Sequence, residues 1–286
     1  MPSGDESLNR SSFILIAAFA LAGAAHAAAQ QQQPVVAPPP AQPAFFSRTD
    51  FHLNAAWLGS VAANATAGGE TVADQRFKWD TFWGGSVDVV DYVGGRLAVL
   101  IDYEAVLGSE FQLFDPNQGN YTLEASASAR LSRDTEVIAM FHHVSRHLSD
   151  RPKVRNPVAF NELGVRVLRR LARGRSTLDV DAEGGRVMER AYVDYTWLAD
   201  LSVMGRLQVS NRLGVFAHAE GHLIGVDGDV ANRTTQSGGF IEAGVHIKGT
   251  DGALELFAGL EKRIDADPLD RQPRHWALAG FRLLSR

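Results

Sequence analysis

Residues 121–131 read YTLEASASARL and residues 135–145 read TEVIAMFHHVS. In the first stretch Tyr121, Leu123, Ala125, Ala127, Ala129 and Leu131 alternate with Thr122, Glu124, Ser126, Ser128 and Arg130. A period of two belongs to a strand, in which residues two apart share a face. No helical spacing fits the pattern. Working outward, the same division into an apolar and a polar row recurs at 97–107, 213–222, 241–248 and 254–263.

A soluble sandwich can alternate in this way, so the connections decide between the two. Short turns fall near 93–95, 133–134, 172–174, 210–212 and 249–252, and long polar loops separate them at 62–76, 108–119, 146–158, 184–197, 225–238 and 264–274. Short turns at one end and long loops at the other are the signature of a bacterial outer-membrane barrel. The sequence therefore predicts an all-β fold, a twelve-stranded antiparallel transmembrane β-barrel over residues 49–286, with ten to fourteen strands bracketing the count. Acids, bases and serines on the inner rows predict a wet lumen.

Composition agrees. Of 286 residues, 45% are hydrophobic and 21% charged, and a net charge of −5 with a pI near 6.0 gives no bulk attraction for nucleic acid. A mean hydropathy of −0.11 suits a chain apolar only on alternate residues. Phe13 to Ala25 is an apolar run followed by Ala25-His26-Ala27, so residues 1–29 are expected to be a signal peptide. Residues 30–48, rich in Gln and Pro, read as a periplasmic linker. Zero cysteines exclude disulfides and thiolate ligands. The expected partners are outer-membrane lipids and the outer-membrane assembly machinery. Outer-membrane proteins usually end on an aromatic residue, whereas here Phe281 precedes Arg-Leu-Leu-Ser-Arg.

The hairpin from Thr135 to Val167 carries the chemistry. Val137, Ala139, Phe141, His143 and Ser145 form one row, and Ala159, Asn161, Leu163, Val165 and Val167 form another. If Ser145 pairs with Ala159, His143 faces Asn161. A His, a Ser and an Asn then meet on a lipid-facing surface near the extracellular end. Such a trio can act as base, nucleophile and orienting group in acyl transfer on a lipid. The competing reading is a barrel without enzymatic role, a narrow pore or structural element, whose rim carries ordinary interfacial residues.

His143-x-Ser145 followed on the next strand by Asn161 resembles the outer-membrane phospholipase A family. The resemblance implies Ser145 as nucleophile, His143 as base and Asn161 as orienter, with calcium as cofactor and a homodimer as the active form. The lipid A deacylases also use a His-x-Ser pair on a barrel exterior, with an acid as third member. In the phospholipases Asn-Gly follows the serine; here Arg146-His147 does. The string from His143 to Asp150 is also similar to a H-x-S-S-H-L-x-D segment in an uncharacterised outer-membrane family, a likeness that implies no activity.

Two further groups stand out. Arg146, Arg151, Lys153 and Arg155 cluster in a predicted outer loop and are candidates for lipid phosphates. His218-x-Glu220-x-His222 shares one face, but alternate residues on a strand spread by roughly 7 Å, which suits a metal poorly. Pairing with groups on adjacent strands is expected instead, and no metal is assigned.

Overall fold

A computed structural model describes residues 50–60, 74–92, 94–148 and 158–285, without the side chains of Ser60 and Ala231. The expected leader and linker lie outside these. The strands are β1 (Asp50–Ser60), β2 (Trp79–Tyr92), β3 (Gly95–Gly108), β4 (Asp115–Arg130), β5 (Thr135–Leu148) and β6 (Val158–Arg173). They continue with β7 (Ser176–Ala191), β8 (Tyr195–Gln208), β9 (Leu213–Val226), β10 (Gln236–Lys248), β11 (Gly252–Arg263) and β12 (Arg274–Ser285). Each pairs antiparallel with its neighbours in sequence, and β12 closes on β1, giving a barrel of twelve strands with no free edge. Closure satisfies every ladder of backbone groups within the sheet, the condition for strands to cross lipid.

The two faces of the wall differ as the alternation predicts. Trp83, Val99, Ile101, Leu123, Phe141, Leu163, Val165, Leu201, Leu256 and Leu283 are exposed on the outside. On the alternate positions Glu124, Glu136, Glu162, Arg166, Glu242 and Glu255 are buried inside.

Inside, charges meet across the barrel. Arg263 of β11 bonds to Asp80 of β2 and to Glu104 of β3, the latter at 2.9 Å. Arg96 of β3 bonds to Glu136 of β5 at 2.9 Å. Arg282 of β12 bonds to Glu242 and Glu255 at 3.0 and 2.8 Å. A cavity of about 450 Å³ remains, lined by Asp102, Asp200, Glu220 and His222 among others.

The extracellular mouth is less open than a wet lumen predicts. The β11–β12 connection, residues 264–273, turns inward, and Asp265, Ala266 and Asp267 are almost fully buried. Ala266 packs with Leu58, Phe77, Val106 and Trp276, while Val158, Phe160, Val193, Tyr195 and Ile224 form another apolar cluster. Five side chains pin the loop. Arg146 donates to the carbonyls of Asp265 and Ala266, Gln118 donates to the latter, Tyr195 donates to the Asp265 carboxylate, and Arg76 pairs with Asp267. Arg233 bridges the carboxylates of Asp194 and Asp265, two bonds to each.

Two predicted boundaries are corrected. The connection expected at 184–197 shrinks to 192–194, because β7 continues to Ala191. The loop expected from Arg146 begins only after Leu148, because β5 runs three residues further.

Candidate active site on the outer wall

The β5–β6 ladder has the expected register: Ser145 pairs with Ala159 and His143 with Asn161. Phe141 and Leu163, in the same rows, are exposed, so the row carrying His143, Ser145 and Asn161 points outward to lipid.

The imidazole of His143 is held from one side. Its Nδ1 lies 2.6 Å from Oδ1 of Asn161, whose Nδ2 donates to Oε2 of Glu189 at 3.0 Å. An amide oxygen can only accept, so Nδ1 carries the proton and the lone pair sits on Nε2. The result is a hydrogen-bonded chain across β5, β6 and β7, ending in a carboxylate.

The sequence pattern does not single out Glu189. Along β7, Asp181, Glu183 and Val187 face the lumen, and simple alternation would send Glu189 there too. A bulge intervenes. Asn161 pairs with Glu189 and the next residue, Glu162, with Val187, so Met188 is the extra residue and both it and Glu189 lie exposed. Such bulges re-aim a side chain at the cost of one unpaired residue. The only local sign in the sequence is an acid directly after Met188 where the outward row resumes.

Ser145 departs from expectation. Its hydroxyl bonds to Nε2 of His147 at 2.9 Å, not to His143. His147 stands edge-on to Tyr121, ring centroids 5.5 Å apart. His143 and His147 flank the serine at equal spacing on one face, and the side-chain rotamer, which no pattern reveals, selects between them.

The row through Ser145 also fixes its depth. Trp83, Tyr103 and Tyr121 are cross-strand partners in turn, with centroids 5.4 and 4.9 Å apart, and Tyr121 pairs with Ser145. Aromatic girdles of this kind mark the level of the lipid headgroups. Ser145 extends the girdle, and His143, Asn161 and Glu189 lie one row deeper.

Of the four expected phosphate ligands, Arg146 belongs to the strand and faces the lumen, where it holds the backbone of the inturned loop. Arg151, Lys153 and Arg155 lie outside the described residues. His218 and His222 lie on either side of the Glu220 carboxylate, at 3.7 and 3.4 Å, and each also has a partner on the next strand. His218 bonds to Ser202 and His222 to Asp200, both on the adjacent β8.

No protein-family model matches the chain, and no curated protein matches it. Among solved structures, an active-site mutant of outer-membrane phospholipase A from Escherichia coli aligns over 90% of this chain and 95% of its own, with a TM-score of 0.51 and 12% identity. An outer-membrane phospholipase dimer with bound calcium from Salmonella typhi aligns over 83% and 90%, with a TM-score of 0.49 and 11% identity. LpxR from Salmonella typhimurium aligns over 82% and 99%, with a TM-score of 0.47 and 9% identity. With its closed ladder, apolar exterior and charged interior, the chain is an integral β-barrel of the bacterial outer membrane.

Proposed function

We propose that the chain is a lipid acyl hydrolase acting on the outer leaflet. The observation that supports this is the His143–Asn161–Glu189 chain of hydrogen bonds on the lipid side of the wall, one row beneath Ser145 at the girdle. Polar groups facing lipid are costly, and three joined into an orienting chain need a reason beyond interfacial polarity.

In this reading Oγ of Ser145 turns from His147 toward Nε2 of His143. The Ser145–His147 bond supports the reach, since it spans the same two-residue step along the strand. Nε2 takes the hydroxyl proton as Oγ attacks an ester carbonyl. The tetrahedral intermediate collapses, the proton passes to the leaving alcohol, and Ser145 retains the acyl chain as an ester. Water, deprotonated by the same nitrogen, then releases the fatty acid and restores the hydroxyl. Asn161 and Glu189 hold the ring and its tautomer. The substrate class is an ester at headgroup depth, a phospholipid or lipid A.

None of these steps uses calcium. Hard cations of its kind take six or more oxygens, and the side chains next to Ser145 are Arg146, turned to the lumen, and His147, a nitrogen donor.

The rival reading as a pore is disfavoured by the inturned loop and its pins. The test is acyl release from vesicles of outer-membrane phospholipid or lipid A, with and without calcium, by wild type and Ser145→Ala. The proposal expects a loss of at least about a thousandfold in the variant. Equal rates, or no release by either protein under any condition, would leave a structural barrel in its place.

A further inference from the structure

On the lumen face of the same three strands stand His142 of β5 and Glu162 of β6, next in sequence to His143 and Asn161, together with Glu183 of β7. Their ligand atoms all lie within 4.8 Å of one another. The imidazole is held from its Nε2 side by Glu124 at 2.8 Å. Its other nitrogen, Nδ1, faces two carboxylates, with Oε1 of Glu183 at 3.6 Å and Oε2 of Glu162 at 3.8 Å.

Both distances exceed the range of roughly 2.7–3.2 Å for an N–H···O hydrogen bond. They match the separation between two atoms that each lie about 2.1 Å from one cation. The burial of Glu162 points the same way. Its side chain is only 3% exposed, and its Oε1 has no hydrogen-bond partner. A buried carboxylate oxygen without a partner is unfavourable unless an ion or proton satisfies it. The space for that side chain is made by Gly185, where a Cβ would collide with Oε1.

Charge counts in the same direction. Arg166 bonds to Glu124 at 3.1 Å and to Oε2 of Glu183 at 2.5 Å, so one guanidinium serves a group of three carboxylates. It leaves Oε1 of Glu183 turned toward His142.

We infer that His142, Glu162 and Glu183 form a binding site for one divalent transition-metal cation of the zinc class. One imidazole nitrogen and two carboxylates are a donor set for zinc, and the imidazole disfavours calcium. Glu124 plays the outer part, accepting Nε2–H and so presenting the Nδ1 lone pair to the metal. The ion ties β5, β6 and β7 together, with its ligands His142 and Glu162 next in sequence to His143 and Asn161. This site does not depend on the hydrolase reading.

The test uses untagged, chelator-treated barrel in detergent. Isothermal titration with Zn²⁺ should give one site per chain, unaffected by millimolar Ca²⁺, and Co²⁺ should produce a visible ligand-field band in the wild type. His142→Gln and Glu162→Gln should each weaken Zn²⁺ binding by more than about 100-fold, and Glu124→Gln by about 10-fold. Heat-modifiability on gels reports folding of each variant, and the Co²⁺ band of the wild type decides the matter if a variant fails to fold. No stoichiometric binding, affinity unchanged in folded His142→Gln, or equal competition by Ca²⁺ would each overturn the assignment.

Discussion

His142 and His143 are neighbours in sequence and stand in different media. His142 projects into the lumen among Glu124, Glu162 and Glu183, whereas His143 projects toward lipid and bonds to Asn161. The same strand thus presents one imidazole to a surplus of negative charge and the other to a neutral amide backed by a carboxylate one residue further. Alternation alone creates the difference. The Nδ1 of His143 meets a neutral amide, while three carboxylates make the surroundings of His142 a place for a cation.

Substitutions on the lipid face grade that comparison. His143→Ala should lower acyl release about as far as loss of Ser145, roughly a thousandfold, because base and nucleophile act as one unit. A loss confined to His147→Ala instead would transfer the base role to the histidine that Ser145 bonds in the structure. Asn161→Ala should cost about tenfold, since it leaves the ring in place but frees its tautomer. Glu189→Gln should cost only a few-fold, because the glutamine oxygen still accepts from Asn161 Nδ2. If Glu189→Gln proved as damaging as Asn161→Ala, the charge rather than the hydrogen bond would be the part that matters.

The smallest expected effect concerns the inturned loop. Burial works to raise the Asp194 carboxyl, but its bonds to Arg233 outweigh that and hold it below the ordinary value of 3.8. A carboxyl lowered in the folded state contributes stability above its unfolded pKa and loses it as pH falls through the folded one. The brace through Arg233 should therefore hold from neutral pH down to 3.8 and weaken only below it. Planar-bilayer conductance should stay flat from pH 7 to about 5 and rise only at stronger acidity. A rise between pH 7 and 5 would show that a histidine, not the Arg233 brace, limits the hold on the loop.

Much of the fold was legible because the barrel is a repeated local rule. Each strand separates its own faces, and the pairing of Ser145 with Ala159 fixed His143 against Asn161 by arithmetic. What escaped has a shared cause: each feature depends on something other than the period of two. Glu189 turns outward through a bulge, Ser145 selects His147 by rotamer, and Arg146 extends a strand where a polar run suggested a loop. The inturned segment 264–273 has no period, and its anchors are spread from Arg76 to Arg233. The His142 cluster spans Glu124 to Glu183, and only the registers of β4 to β7 bring it together.

On the proposed mechanism Ser145 is an activated nucleophile and His143 the group that activates it. Labelling with a lipid-like fluorophosphonate, read by mass spectrometry, tests both, because only an activated serine reacts at an appreciable rate. One label per chain is expected on Ser145 in the wild type, with retention of it in the lumen-facing control His222→Ala and loss of it in His143→Ala. Absence of label from the wild type, or undiminished labelling of His143→Ala, would contradict it.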